Sequence, residues 1–213
     1  MAIPAKSKYV MDARPAPRAG LTLFCARDDV ASLWARIVLA EKDVDSARIE
    51  WIVPGKPHHD LLVLNPAGTL PTLVDRDTVL YPASVVAEYL DERYPHPRLL
   101  PADPALRGRI RMMLLRIEHE LFPALTALAA GAKATEAKAL RKKLGEQLVG
   151  ASPLFSARGW CMGLDYNLAD CAFAALFTQM LRMDLKALLA SDPAIVRYAE
   201  RLLTRPGVQA AIR

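Results

Sequence analysis

The periodicity of this chain changes across four prolines, and no other feature restricts its fold as much. Pro95, Pro97, Pro101 and Pro104 fall within ten residues. Proline lacks an amide hydrogen and disfavours helix in the residue before it, so regular structure is expected to break here. Ahead of the cluster, short apolar runs of strand type are mixed with helical patterns. Behind it, every apolar pattern repeats at helical spacing. We therefore expect a mixed α/β unit over 21–97, a proline-rich linker over 98–104 and an all-helical unit over 105–213. Both units fall within the usual size of a domain.

The order of elements in the first unit narrows the topology. Leu21 to Cys25 is short and apolar and reads as a buried strand. Val30, Leu33, Trp34, Ile37 and Val38 then recur at helical spacing up to Lys42. Ile49, Trp51 and Val53 alternate, so Arg48 to Val53 reads as a second strand, and the helix between the two favours a parallel crossover. Thr72 to Asp75 and Thr78 to Tyr81 bracket Arg76-Asp77 as a β-hairpin. Ser84 to Tyr94 reads as a helix, with Val85, Tyr89 and Leu90 inward and Glu88, Asp91, Glu92 and Arg93 outward. In the second unit helices are expected over about 104–130, 135–149, 168–182 and 192–203, with a last turn after Pro206. Asp103 can cap the first of these, with Pro104 at its first position. Asn167 and Asp170 form a capping box ahead of a helix that is apolar around most of its circumference, as a helix at the centre of a bundle must be.

Composition excludes several functions. The longest stretch without a charge, Leu61 to Val74, contains Pro66, Gly68 and Pro71 and cannot cross a membrane as a helix. Cys25, Cys161 and Cys171 have neither metal-type nor redox-pair spacing, which fits a reducing cytoplasm. The net charge of +5 is uneven: residues 1–20 carry +3, residues 21–97 carry −5 and residues 98–213 carry +7. The high pI therefore reflects the tail and the helical unit. No recognition-helix motif accompanies the basic residues, so no sequence-specific DNA contact is expected. Residues 1–20 have no apolar segment of signal-peptide length and read as a disordered basic tail.

A small thioredoxin-like α/β unit followed by an all-helical one resembles the glutathione S-transferase fold. The likeness reaches individual residues. Asn65-Pro66-Ala67-Gly68-Thr69-Leu70-Pro71-Thr72-Leu73 is similar to the stretch that leads into the superfamily's cis-proline, placing that role on Pro71. Arg36 to Lys42 matches its first helix, and Asn167 to Asp170 the capping box of its buried helix. Within the superfamily, Val38 to Lys42 and Glu88-Tyr89-Leu90-Asp91-Glu92-Arg93-Tyr94-Pro95-His96-Pro97 resemble the bacterial stringent starvation protein A family. That resemblance implies a cytoplasmic homodimer that associates with RNA polymerase holoenzyme, sigma factor included, and regulates transcription under starvation or stress. It also implies a surface pocket around Tyr94, Pro95, His96 and Pro97 that meets the polymerase. The prolines fix their own φ angles and present His96 on a stiff loop, which loses little entropy on binding.

The chemistry of a transferase is not expected to survive. Such an enzyme needs a Ser, Tyr or Cys to stabilise a thiolate, a cis-proline loop, and an acidic-Ser pair for the γ-glutamyl group. Pro71 keeps the second. Alignment places Pro82 and Ala83 on the pair, and neither offers a side-chain hydrogen bond. Ser84 lies one position late and reads as a helix cap. The nucleophile position falls on Asp29, whose carboxylate would repel a thiolate. Asp29, Pro71, Pro82, Ala83 and Ser84 are therefore the expected remnants of a glutathione cleft, with no catalytic residue and no cofactor. Cys25 and Cys171 read as small core residues, whereas Cys161, in a Gly-flanked loop, is the thiol expected at the surface.

His58-His59 and Glu118-His119-Glu120 lack the spacing of metal ligands, and no metal is expected. Arg107 and Arg111 share a helix face that suits an acidic surface. The leading expectation is a non-catalytic, polymerase-associated regulator. The alternatives are a divergent glutathione transferase or thiol-dependent reductase, and a small-molecule sensor using the old cleft or the dimer interface.

Overall fold

A computed structural model describes residues 20–56, 58–155 and 159–213. The tail expected over residues 1–20, Gly20 apart, lies outside the described residues. The first unit runs β1 (Leu21–Cys25), α1 (Val30–Glu41), β2 (Arg48–Trp51), α2 (His59–Leu64), β3 (Thr72–Asp75), β4 (Thr78–Leu80) and α3 (Ala83–Arg93). Its four strands lie in the order β2-β1-β3-β4. β1 pairs parallel with β2 and antiparallel with β3, and β3–β4 is the hairpin read from the sequence.

The sheet sorts side chains by the alternation that strand geometry imposes. Leu21, Leu23 and Cys25 of β1 point into the main core with α1 and α3. Phe24 points to the opposite face and packs with Ile52, Leu61 and Val74 beneath α2. With helices on both faces, β1 is buried at all five positions, which explains why it reads as a continuous apolar run.

Two details of α3 differ from expectation. Val85 is exposed while Val86, Ala87 and Leu90 face inward. Asp91, expected in solvent, is buried. An acidic residue three positions from Glu88 fits a solvated stripe by pattern alone. Only the tertiary partners described below make its burial tolerable.

The second unit holds α4 (Pro104–Arg116), a π-helical segment (Ile117–Leu121), α5 (Phe122–Ala129), α6 (Ala134–Ala151), α7 (Leu168–Arg182), α8 (Lys186–Leu189), α9 (Pro193–Leu203) and α10 (Pro206–Ile212). The single helix expected over 104–130 is thus interrupted. Pro123 sits in the first turn of α5, lacks an amide hydrogen and cannot continue the helical ladder, and the π segment precedes it. Asp103 caps α4, its carboxylate accepting from the Leu106 N–H at 2.6 Å. Helix α7 is the hub: every residue from Leu168 to Met180 is buried, and it packs against α1, α4, α5 and α9.

The two units share one continuous core. Trp34 of α1 meets Phe122 of α5 edge-on, with ring centroids 6.0 Å apart. Arg205 holds Glu41 at the end of α1 through two hydrogen bonds of 2.9 and 2.5 Å. The Arg36 guanidinium donates to the Ala211 carbonyl at 2.8 Å, binding α10 to α1. Gly207 suits this approach, because a Cβ there would stand 2.7 Å from Glu41 Cδ and the carboxylate would have to shift.

Candidate functional site

The loop after α3 is fastened from below by a buried ammonium. Lys42 caps the C-terminus of α1, and its side chain is fully buried. Its Nζ donates to the Asp91 carboxylate, to the Tyr94 carbonyl at 2.8 Å and to the Pro97 carbonyl. Both ends of the Tyr94–Pro97 loop are thereby tied to one charge. Asp91 in turn accepts from the Leu99 N–H at 2.7 Å and the Leu100 N–H at 3.0 Å, fixing the chain as it leaves the loop. The three donors of the ammonium and both carboxylate oxygens are satisfied, which is the condition for burying such a pair.

What this buckle presents to solvent is Pro95, His96 and Pro97, all exposed, with Tyr94 half-buried beneath the Arg93 guanidinium. The Leu70–Pro71, Tyr81–Pro82 and His96–Pro97 peptide bonds are cis. Beside the loop lies a cavity of about 500 Å³ walled by Pro97, Arg98, Leu106, Tyr166 and Arg205. Its far wall is set by Asp170. One carboxylate oxygen accepts from the Cys161 N–H at 2.8 Å and the Tyr198 hydroxyl at 2.5 Å, the other from the Asn167 N–H at 2.8 Å. The capping box is present, with Asn167 Oδ1 accepting from the Ala169 N–H at 2.9 Å. Burial pushes the Asp170 carboxyl up to about 7, against the opposing pull of its three hydrogen bonds.

Of the expected cleft remnants, Asp29 and Ser84 have partners of their own in the fold. Asp29 is the N-cap of α1, its carboxylate accepting from the Ser32 N–H at 2.7 Å. The positive end of that helix, which would favour a thiolate, already faces a fixed carboxylate. Cys25 lies inside, and burial pushes its thiol up to about 11, so it is protonated at neutral pH. Pro82 is the N-cap of α3 and makes no side-chain hydrogen bond; Ala83 is buried.

Ser84 is not the cap expected of it. It sits inside the first turn of α3, and its hydroxyl donates to Glu118 Oε2 at 2.5 Å while its N–H donates to Glu118 Oε1 at 3.1 Å. A carboxylate from the π segment therefore occupies the helix N-terminus, across the seam between the two units. The sequence offered no sign of this, because Glu118 belongs to a different unit and looked like part of a solvated face.

The remaining candidates are placed plainly. His58 caps α2, its Nδ1 accepting from the Leu61 N–H at 3.3 Å. No cluster of metal-ligating side chains occurs among the described residues. Cys161, expected at the surface, is buried beneath the Asp170 network, and so is Cys171. Arg111 pairs with Glu88 at 2.7 Å, while Arg107 stands with Pro95 and Arg98 around a smaller depression of about 240 Å³ on the other flank of the loop. No helix among the described residues is long and apolar enough to cross a membrane.

Comparison with known proteins agrees with this geometry. A family model described as the glutathione S-transferase N-terminal domain matches residues 34–98, and one for the C-terminal domain matches residues 105–206. A stringent starvation protein A homolog of Pasteurella multocida is 40% identical over 188 residues, covering 88% of each chain. The homolog of Haemophilus influenzae is 38% identical over 92% of this chain and 91% of its own. The chain belongs to the stringent starvation protein A family. Enzymes lie further off: a maleylacetoacetate isomerase of Pseudomonas aeruginosa is 31% identical over 70% of this chain and 76% of its own. A glutathione-bound glutathione S-transferase of Methylobacillus flagellatus superposes with a TM-score of 0.79 over 90% of this chain and 98% of its own, at 22% identity, a likeness of fold alone. In the fold, α1 ends at Glu41 with Lys42 as its cap, and α3 runs out into Tyr94-Pro95-His96-Pro97. Those two segments, distant in sequence, are the two halves of one buckle.

Proposed function

We propose that this chain is a non-catalytic adaptor that binds RNA polymerase holoenzyme in the cytoplasm and redirects transcription under starvation or stress. The observation that carries the proposal is the Lys42–Asp91 buckle. A fully buried ammonium is spent on holding the exposed Pro95-His96-Pro97 loop in one shape beside a cavity. A stiff, exposed loop of this kind loses little freedom on docking, so contact energy is not consumed in ordering it. Tyr94, Pro95, His96 and Pro97 form the contact, and residues 21–97 and 105–213 form a single platform joined at 98–104.

Two further features support the reading. Asp29 fills the N-terminus of α1, and Pro82 and Ala83, at the positions the resemblance gives to the γ-glutamyl group, offer no side-chain hydrogen bond. The chain is expected to be neither retained on immobilised glutathione nor active on an aryl halide. Retention together with turnover would favour the enzyme reading instead. Homodimerisation is expected through the α3–α4 face, where Tyr81, Val85 and Leu115 are exposed around the Glu88–Arg111 pair. That patch carries both signs of charge and can complement a copy of itself, as a two-fold interface requires.

The test is affinity purification of the tagged chain from cell extract. Polymerase subunits should come down in stoichiometric amount. Their absence from a preparation of folded protein would remove the proposal.

A further inference from the structure

A second surface, which meets the cavity beside the loop at Gly163 and Leu164, has the chemistry of a docking groove. On α4, Arg109, Met112 and Arg116 follow one another at three- and four-residue spacing on a single stripe, and all three are exposed. Opposite them the segment after α6 supplies Leu154, Met162 and Leu164. Between the two lies a groove of about 610 Å³. Met112 is 67% exposed and Leu164 78% exposed. Large apolar side chains left this open beside one another, and rimmed by charge, mark an interaction surface more often than an ordinary stretch of exterior.

The charge of the rim says what fits. Among the described residues, no acidic residue lines the groove. Arg109 has no ion-pair partner among the described residues, and Arg116 has only an exposed contact of 3.9 Å to Glu120. Arginine and methionine are the side chains enriched at protein interfaces, and methionine adapts its shape to varied partners. A second copy of this chain is a poor occupant. An isologous contact sets the same patch against itself and would bring like-charged guanidiniums together. The α3–α4 face differs in this respect, because its Glu88–Arg111 pair offers both signs.

We propose that the groove between α4 and residues 153–154 and 162–164 docks an acidic polypeptide segment of a partner protein, anchored by apolar side chains between its carboxylates. Helix-in-groove recognition uses anchors at such three- and four-residue spacing. The apolar anchors would enter between Met112, Met162 and Leu164, and the flanking carboxylates would meet Arg109 and Arg116. This inference goes beyond the polymerase reading and stands without it, since it uses neither the Tyr94–Pro97 loop nor the Lys42 buckle.

The test is selection of a displayed random-peptide library against the full chain, followed by fluorescence anisotropy with the synthesised consensus peptide. The selected sequences should carry apolar residues flanked by at least two acids, and their affinity should fall as salt is raised. Arg109→Glu with Arg116→Glu, and separately Met112→Ala with Leu164→Ala, should each weaken binding about tenfold or more while leaving the circular dichroism spectrum unchanged. All four side chains are exposed, so the fold does not depend on them. Failure to enrich any consensus, a consensus without acids, or affinity unchanged in both double variants would overturn the proposal. So would conversion of a wild-type dimer to a monomer by Met112→Ala with Leu164→Ala, which would assign the groove to a second copy. No polymerase enters the measurement, so its failure is separate from failure of the adaptor reading.

Discussion

Replacing Asp170 by alanine is expected to destabilise the protein more than any other truncation in the helical unit. Three donors converge on that carboxylate: the Cys161 N–H, the Asn167 N–H and the Tyr198 hydroxyl. A buried donor left without a partner costs about 1–3 kcal/mol. Three such losses amount to a large part of the roughly 5–15 kcal/mol that holds a domain folded. Tyr198 cannot turn elsewhere, because Phe155 stacks on it at 4.1 Å and Phe173 and Phe177 meet it edge-on. Urea unfolding should show a loss of several kcal/mol for Asp170→Ala, or no folded protein at all. A loss below about 1 kcal/mol, the value of a single ordinary hydrogen bond, would contradict the network.

Asp170 also predicts a pH dependence with a definite sign. Its carboxyl is raised from an ordinary 3.8 to about 7 in the folded protein, chiefly by burial. Across that window the folded state holds a proton that the unfolded chain has released. The contribution to stability is therefore full below about pH 4, falls as pH rises through that window, and is level above about pH 7. Asp170→Asn retains one acceptor oxygen and removes the titration. The variant should be less damaged than Asp170→Ala, and stability against pH should lose this slope between about 4 and 7.

The second large effect is expected at Lys42. Lys42→Met would leave Asp91 buried with no opposing charge, and breaking a buried pair in this way costs about 3–5 kcal/mol. Asp91 cannot simply become apolar, because it also accepts from the Leu99 and Leu100 N–H groups. Asparagine is neutral and keeps one acceptor oxygen for these two N–H groups, so Lys42→Met combined with Asp91→Asn should recover part of the stability lost in Lys42→Met alone. The recovered double variant is the informative one. It should fold, yet its Tyr94 and Pro97 carbonyls have lost their common anchor. Amide hydrogen exchange at His96 and the residues flanking it should quicken. If the double variant is as unstable as Lys42→Met, the cost did not come from the unpaired carboxylate.

The sequence and the structure agree best where a single element decides the outcome. The Asp103 cap with Pro104 and the capping box at Asn167–Asp170 each rest on contacts within a few residues. Their periodicity and caps are legible without the fold. The resemblance in Arg36–Lys42 and in Glu88–Pro97 was legible for the same reason. What was not legible depends on residues that meet only after folding. Asp91 reads as a surface acid until Lys42, 49 residues away, is placed beneath it. Ser84 reads as a cap until Glu118 arrives from the other unit. Cys161 sits in a glycine-flanked loop, yet that loop is folded under by a hydrogen bond from its own amide to Asp170. In each case a local pattern was overruled by a charged or polar partner that lies outside the pattern itself.

The same contrast shapes the functional argument. Fold likeness to glutathione transferases is complete enough that it cannot by itself separate an enzyme from an adaptor. The adaptor proposal rests on side chains. Asp29 caps α1, Cys25 is held as a buried thiol, and Glu118 fills the N-terminus of α3. The elaborate part of the molecule lies instead around the Tyr94–Pro97 loop.

The most direct measurement is the affinity of purified RNA polymerase holoenzyme for this protein and for its Pro95→Ala, His96→Ala, Pro97→Ala triple variant. The three side chains are exposed, so the variant should keep the circular dichroism spectrum of the parent. If these residues are the centre of the contact, binding should weaken about thirtyfold or more, the loss expected of an interface hot spot. Equal affinity of the parent and a folded triple variant would contradict the account.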